Sequence, residues 1–280
     1  GAAGVVGLGV AGGASGAAWP SLVSVAASTS AEQALTCASP ATQTSGWHGV
    51  FVTSFGRAVQ SGGGFYAHSP LVVSGVMPSA GPARGGSLVL VSAGRGGRSR
   101  SRVWCRFEGA SSSVLGRSVG ADQVECASPA SSGSVARRLE VSLNGQQYSS
   151  SGVAFAYVPA AAVSHLSPSA GVAEGGTPVT VVGSGLSTWS SASSGWLQCR
   201  FGGVSVRGAA ASESELVCNS TAASAGGVVV EVSTNGADFT SDGVRYEFVS
   251  VLVTGVAPWS GPTAGGTLVV LRAVSVALMR

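Results

Sequence analysis

Lysine and isoleucine are absent from this chain of 280 residues: all 15 basic residues are arginine, set against 12 acidic ones. Both missing residues use AT-rich codons. Their absence, with the abundance of Ala, Gly and Arg, reflects a GC-rich coding sequence, so the arginine total says little about a polyanionic partner. A net charge of +3 is weak for holding a nucleic acid, and none is expected as a partner. Charged residues make up only 10% of the chain and aromatics 6%, while glycine reaches 43 residues. Glycine and β-branched residues are poor helix formers, which excludes long helices and favours short strands joined by many turns. Long hydrophobic runs are missing too. Gly1 to Ala31 carries no charge, but Trp19-Pro20 interrupts it and it is only mildly apolar. A spanning helix needs about 20 strongly apolar residues, so no membrane span is expected within the chain.

Chemistry-bearing motifs are also lacking. The chain has no G-x-S-x-G elbow, no H-E-x-x-H and no phosphate-binding P-loop sequence. The Gly-rich stretch Ala93 to Gly97 lies between two expected strands, so no helix N-terminus is offered to a phosphate. His48, His68 and His165 have no catalytic setting, and His165 is expected to play a structural role in a strand. The acidic residues are scattered without EF-hand spacing; Glu213 and Glu215 are expected to share the solvated face of a strand. Catalytic residues, metal ligands and cofactors are therefore not expected, and the chain does not read as an enzyme.

What is present is a repeat. PSAGPARGGSLVLV from Pro78, PSAGVAEGGTPVTV from Pro168 and PWSGPTAGGTLVVL from Pro258 align, 90 residues apart. Downstream, WCRF at Trp104 matches QCRF at Gln198, and CASP at Cys126 matches CNST at Cys218. Asn144-Gly145 matches Asn235-Gly236, and FAY at Phe155 matches YEF at Tyr246. The expected modules are 72–160 and 161–250, preceded by a degenerate or incomplete one over 1–71 and followed by the start of a truncated one over 251–280. VVGLGV at Val5 resembles VVGSGL at Val181, and Cys37 stands in a further CASP.

Within a module the periodicity is that of strands. Val179 and Val181 flank Thr180; Leu197, Cys199 and Phe201 alternate with Gln198 and Arg200; Val228, Val230 and Val232 alternate with Val229, Glu231 and Ser233. Each set places its first-named members on one face. The PSAG segment reads as a rigid turn, with its glycine at positive φ, and Gly175-Gly176 as a second turn. Asn235-Gly236 reads as a type I′ hairpin turn, and a last strand runs through Val244, Tyr246 and Phe248. Six or seven short strands in about 90 residues make an antiparallel sandwich.

The five cysteines lack the paired spacing of a zinc site. Cys105 and Cys126 recur as Cys199 and Cys218, on separate expected strands. Disulfides between Cys105 and Cys126 and between Cys199 and Cys218 are expected, with Cys37 unpaired; two buried thiols per module are the alternative. A disulfide closing about 20 residues stabilises by roughly 3 kcal/mol on the chain-entropy model.

Taken together, PSAGPARGG, CRF, CASP, the V-x-V-S-x-NG segment and the terminal F-x-Y resemble the IPT/TIG module family, closely over residues 70–271 and loosely over 1–70. The resemblance implies an all-β fold of tandem Ig-like β-sandwich modules of about 90 residues. It implies a non-enzymatic repeat array of a cell-surface or secreted protein, serving adhesion, ligand binding or spacing, with a protein or glycan ligand. Two alternatives come with the family: an intracellular Rel-like DNA-binding or dimerisation module, and an accessory domain of a carbohydrate-active enzyme. Two features bear on the choice. Asn219-Ser220-Thr221 is an N-glycosylation acceptor sequence. Arg95, Arg98, Arg100 and Arg102 concentrate basic charge in one Gly/Ser loop, a candidate contact for sulfated glycan, acidic lipid or nucleic acid, or else a solvated loop. The matching loop, Ser187 to Gly195, has no arginine but carries Trp189.

Overall fold

A computed structural model describes residues 5–9, 23–26, 28–31, 34–42, 45–54, 57–94, 102–186 and 196–275. No α-helix occurs among them. Residues up to Val72 belong to one compact unit and most of the chain from Val73 to a second.

The first unit holds β1 (Val5–Gly9), β2 (Val23–Ala26), β3 (Ser28–Ala31), β4 (Ala34–Thr36), β5 (Gly46–Ser54) and β6 (Arg57–Ala67). β2, β1, β5 and β6 form an antiparallel sheet in that order, and β3 pairs with β4.

The first module starts with β7 (Val72–Met77), β8 (Ala80–Pro82), β9 (Leu88–Gly94) and β10 (Val103–Phe107). It continues with β11 (Val114–Ser118), β12 (Gln123–Ala127), β13 (Ala136–Ser142) and β14 (Ala154–Val158). Their hydrogen-bonded order is β7-β9-β12-β11-β10-β13-β14-β8. The second module repeats it with β15 (Ala162–Ser167), β16 (Ala170–Val172), β17 (Pro178–Ser184), β18 (Gln198–Phe201), β19 (Val204–Ala210), β20 (Glu215–Asn219), β21 (Gly226–Ser233) and β22 (Arg245–Val249), in the order β15-β17-β20-β19-β18-β21-β22-β16. Each module is an Ig-like sandwich: β7, β9 and β12 make one layer, β10, β13, β14 and β8 the other.

β11 joins the two layers. Its first half, Val114 to Gly116, pairs with β10, and Arg117 and Ser118 pair with β12. β19 does the same, leaving β18 at Arg207 and meeting β20 from Gly208. A glycine sits at each crossing because the interlayer disulfide lies beneath it. A Cβ on Gly116 would stand 3.1 Å from both Cys105 Sγ and Cys126 Sγ, and one on Gly208 would stand 2.9 Å from Cys218 Sγ.

The strand alternation read from sequence holds in the core: Val179, Val181, Leu197, Cys199, Phe201, Val230 and Val232 are all buried, and Val228 packs against them part-buried. Buried aromatics fill the space between layers, edge to face. Phe155 meets Phe107 and Tyr157 at centroid distances of 5.6 and 5.1 Å, and Tyr246 meets Phe201 and Phe248 at 5.4 and 5.0 Å.

Four local expectations are corrected. The PSAG segment does not merely turn: Ala80–Pro82 and Ala170–Val172 pair parallel with β14 and β22, so the sandwiches are not wholly antiparallel. Its glycine is required by space and not by φ, since a Cβ on Gly81 would come 2.8 Å from Phe155 Cζ. Asn235-Gly236 is not a two-residue turn. Ser233 bridges Phe239 across a five-residue loop, and the buried Ser233 is satisfied there, its Oγ accepting from Gly236 N–H at 2.9 Å. Glu213 lies in the bend before β20, so it does not share a strand face with Glu215.

Beyond the second module, β23 (Val251–Ala257) pairs antiparallel with β24 (Val270–Ser275). The pair repeats that of β15 and β17, down to a register shift between Val253 and Gly255 where the earlier one falls between Val163 and His165.

Candidate functional site

The chemistry-bearing residues singled out in the sequence do not converge. His48 is buried in β5, His68 is half-buried with Nδ1 2.9 Å from the Ser69 carbonyl, and His165 is an exposed member of β15. Among the described residues no group of three or more His, Cys, Asp and Glu side chains could hold a metal ion. Arg95, Arg98 and Arg100 lie outside the described residues, as does the whole of the matching loop 187–195, and Arg102 is exposed. Asn219 is exposed at the end of β20. Ser220 beside it is buried, its Oγ accepting from Thr177 N–H at 3.1 Å.

Cys105 is bonded to Cys126 and Cys199 to Cys218, with Cα separations of 6.4 and 6.3 Å. Each bond ties one layer of its sandwich to the other, in the fully buried core. Cys37 is free and half-buried.

On the outer face each module presents the same arrangement. Arg106 pairs with Glu140 across β10 and β13, and its guanidinium lies over the Tyr148 ring at 4.0 Å. Arg200 pairs with Glu231 at 2.7 Å and lies over Phe239 at 4.0 Å. The bond to Glu231 holds the Arg200 guanidinium even further above neutrality than usual. Exposed pairs of this kind add little to stability, about 0–1 kcal/mol, and here they orient the arginines.

Two features were not singled out in the sequence. The first is the junction of the modules. The loop Thr234 to Asp238 of the second module reaches the first: Asn235 Nδ2 donates to the Ala80 carbonyl at 2.9 Å, and Ser87 Oγ donates to Asp238 at 2.7 Å. Asn235 Oδ1 shapes the loop by accepting from the backbone N–H groups of Ala237 and Asp238 at 3.0 and 2.8 Å. Only Pro159 to Ala161 separates β14 from β15.

The second is an open cavity of about 290 Å³ in the first module, between the loop after β10 and the loop after β12. Phe107 and Tyr157 belong to its lining, with Ser111, Ser112, Ser131 and Ser132 from the two loops. Arg137 and Glu108 also line it. Tyr157 is 1% exposed, and its hydroxyl is buried with no hydrogen-bond partner. Burial pushes its pKa up to about 12, against a smaller opposing pull from Arg137, so the hydroxyl keeps its proton at neutral pH. Among the described residues no acidic side chain forms an ion pair with Arg137. The carboxylate of Glu108 accepts instead from the Arg138 N–H at 3.4 Å. Comparing the aligned repeats would have found the pair: Arg137 and Tyr157 fall where the second module has Val228 and Phe248.

The model of the IPT/TIG domain matches residues 71–157 and 161–248. No curated protein sequence matches the chain. Solved structures with similar arrangements share little sequence. The extracellular region of plexin A4 is 15% identical with a TM-score of 0.43, over 92% of this chain and 27% of that one. A Bacteroides ovatus glucan-utilisation protein, SGBP-B, solved with a mixed-linkage heptasaccharide, is 14% identical with a TM-score of 0.26, over 92% of this chain and 62% of that one. Invasin, a bacterial integrin-binding protein, is 12% identical with a TM-score of 0.26, over 91% of this chain and 54% of that one. The chain thus spans less than two thirds of the length of each of these structures.

Proposed function

This chain belongs to the IPT/TIG domain family, matched over two tandem modules, and we propose that it is a non-enzymatic, extracellular repeat array serving adhesion, ligand binding or spacing. The observation that carries this reading is the interlayer disulfide found in the same place in both modules. Such bonds persist in secreted and cell-surface proteins and are reduced in most cytosols. The exposed position of Asn219 supports the same compartment, because a glycan attached there projects from the end of β20 into solvent. The junction supports the role of spacer: two direct hydrogen bonds and a three-residue connection restrict how far one module swings on the other. Ligands, protein or glycan, are taken by the loops at the module ends, which differ in length between the two modules.

The test is the state of the cysteines in the cell. Protein unfolded without reductant in the presence of an alkylating reagent at the moment of lysis carries two disulfides and is labelled at Cys37 alone. Labelling at all five cysteines would place the chain in a reducing compartment and end the reading.

A further inference from the structure

The geometry points to the cavity of the first module as a binding site for a single acidic sugar, its carboxylate or sulfate received by Arg137 and Tyr157. The inference rests on the reading of the chain as a ligand-binding array and gives one ligand its chemistry.

Three observations carry it. The first is that the cavity is extra to the fold. Six residues separate β10 from β11, where two separate β18 from β19, and eight separate β12 from β13, where six separate β20 from β21. The lengthened loops of the first module are the two walls of the cavity. The second is that the polar groups within it are also extra. The same sandwich is built in the second module with Val228 and Phe248 in place of Arg137 and Tyr157. There Val228 fills the corner, with its Cγ1 3.0 Å from the Cβ position of Gly202; in the first module the Arg137 guanidinium stands 3.2 Å from that of Gly109. The third is that both groups await an acceptor. Among the described residues Arg137 has no carboxylate partner, and the Tyr157 hydroxyl has no hydrogen-bond partner although it is buried. A buried donor without an acceptor is costly, and an oxyanion satisfies it together with the planar guanidinium fork.

The rest of the lining selects a sugar over a peptide side chain. Ser111, Ser112, Ser131 and Ser132 offer hydroxyls that both donate and accept, matching a polyol. Phe107 and Tyr157, both buried, form the apolar floor of the cavity. A volume of about 290 Å³ is at the small end of ligand sites and suits one ring. Glu108 stands against the anion, so it weakens binding and sets a limit on affinity.

The experiment titrates the full, disulfide-intact chain with glucuronic acid, 6-sulfo-N-acetylglucosamine, neutral N-acetylglucosamine and a short glutamate-containing peptide. Backbone amide shifts of Gly109, Ala110 and Ser131 are the readout. An acidic sugar is expected to shift these amides; stronger binding of glucuronic acid or of the sulfated sugar identifies the carboxylate or the sulfate as the anion. The double substitution Arg137→Val with Tyr157→Phe, which installs the side chains the second module carries, is expected to weaken binding about tenfold or more while the fold is kept. Glu108→Gln is expected to tighten it. No shift at about 50 mM of either acidic sugar, equal binding of the neutral sugar, or equal binding of the peptide would overturn the proposal. So would unchanged affinity of the double variant. If that variant fails to fold, Glu108→Gln decides, and unchanged anion binding there counts against the site. Failure in this titration, with two disulfides found in the cell, removes the site and leaves the extracellular array standing.

Discussion

Asn235 Nδ2, in a loop of the second module, donates a hydrogen bond to the backbone carbonyl of Ala80 in the first, 2.9 Å away. Beside it Asp238 accepts from Ser87 Oγ, in a residue with no exposed surface. The loop is therefore shaped by its own Asn side chain and used by the neighbouring module. The first module's loop has Gln147 where the second has Asp238, and there Asn144 Nδ2 donates to Gln147 Oε1 within the loop.

Asp238→Ala is expected to leave the Ser87 hydroxyl buried and unsatisfied, costing about 1–3 kcal/mol. The modules should then tumble more independently. Small-angle scattering and backbone relaxation of the full chain, compared with the parent, measure that loosening. Unchanged interdomain correlation times would show that the connection alone holds the modules in line.

Gly208→Val should destabilise the second module by about 1–3 kcal/mol through overpacking. The new Cβ would meet Leu216 Cδ1 at 2.7 Å and Cys218 Sγ at 2.9 Å, neither of which is free to retreat from the buried core. Gly133→Val, where a Cβ meets nothing and φ is not positive, is the control. Thermal unfolding of both variants with the disulfides intact gives the comparison.

The raised pKa of Tyr157 predicts a pH dependence of definite sign. The phenol ionises near 10.0 when unfolded and near 12 when folded, so its contribution to stability is complete below pH 10 and is lost as pH rises through 12. The loss amounts to about 2–3 kcal/mol at the upper end. Urea unfolding between pH 9 and 12 should show a decline in the parent that Tyr157→Phe reduces by that amount.

Replacing Arg95, Arg98 and Arg100 by Ser tests the basic loop as a polyanion contact. If it binds a sulfated glycan, retention on heparin falls and the remaining retention loses its salt dependence. Stability should change by no more than about 0.5 kcal/mol. Equal retention of parent and variant leaves the arginines as solvated charge.

Much of the fold was legible because it is written in local periods. The 90-residue interval between Pro78, Pro168 and Pro258 defined the modules, and the alternation through Leu197, Cys199 and Phe201 told which faces are buried. What was misread were positions whose residue type has two physical causes. Glycine in PSAG suggested a positive φ, but at Gly81 the cause is the closeness of Phe155, a residue 74 positions further on. Asn235-Gly236 suggested a two-residue turn, but the asparagine caps a longer loop and reaches another module.

By itself, then, the sequence determined the β class, the repeat and the pairing of inward faces, since each depends on residues within one strand or at one fixed interval. The tertiary structure alone decided the parallel edge strands, the glycine crossings over the disulfides, the junction and the cavity. Each of these depends on the register between strands far apart in the chain. Arg137 and Tyr157 line one cavity with Ser111 and Ser131 only because β10, β13 and β14 pair side by side while the loops after β10 and β12 border the same space.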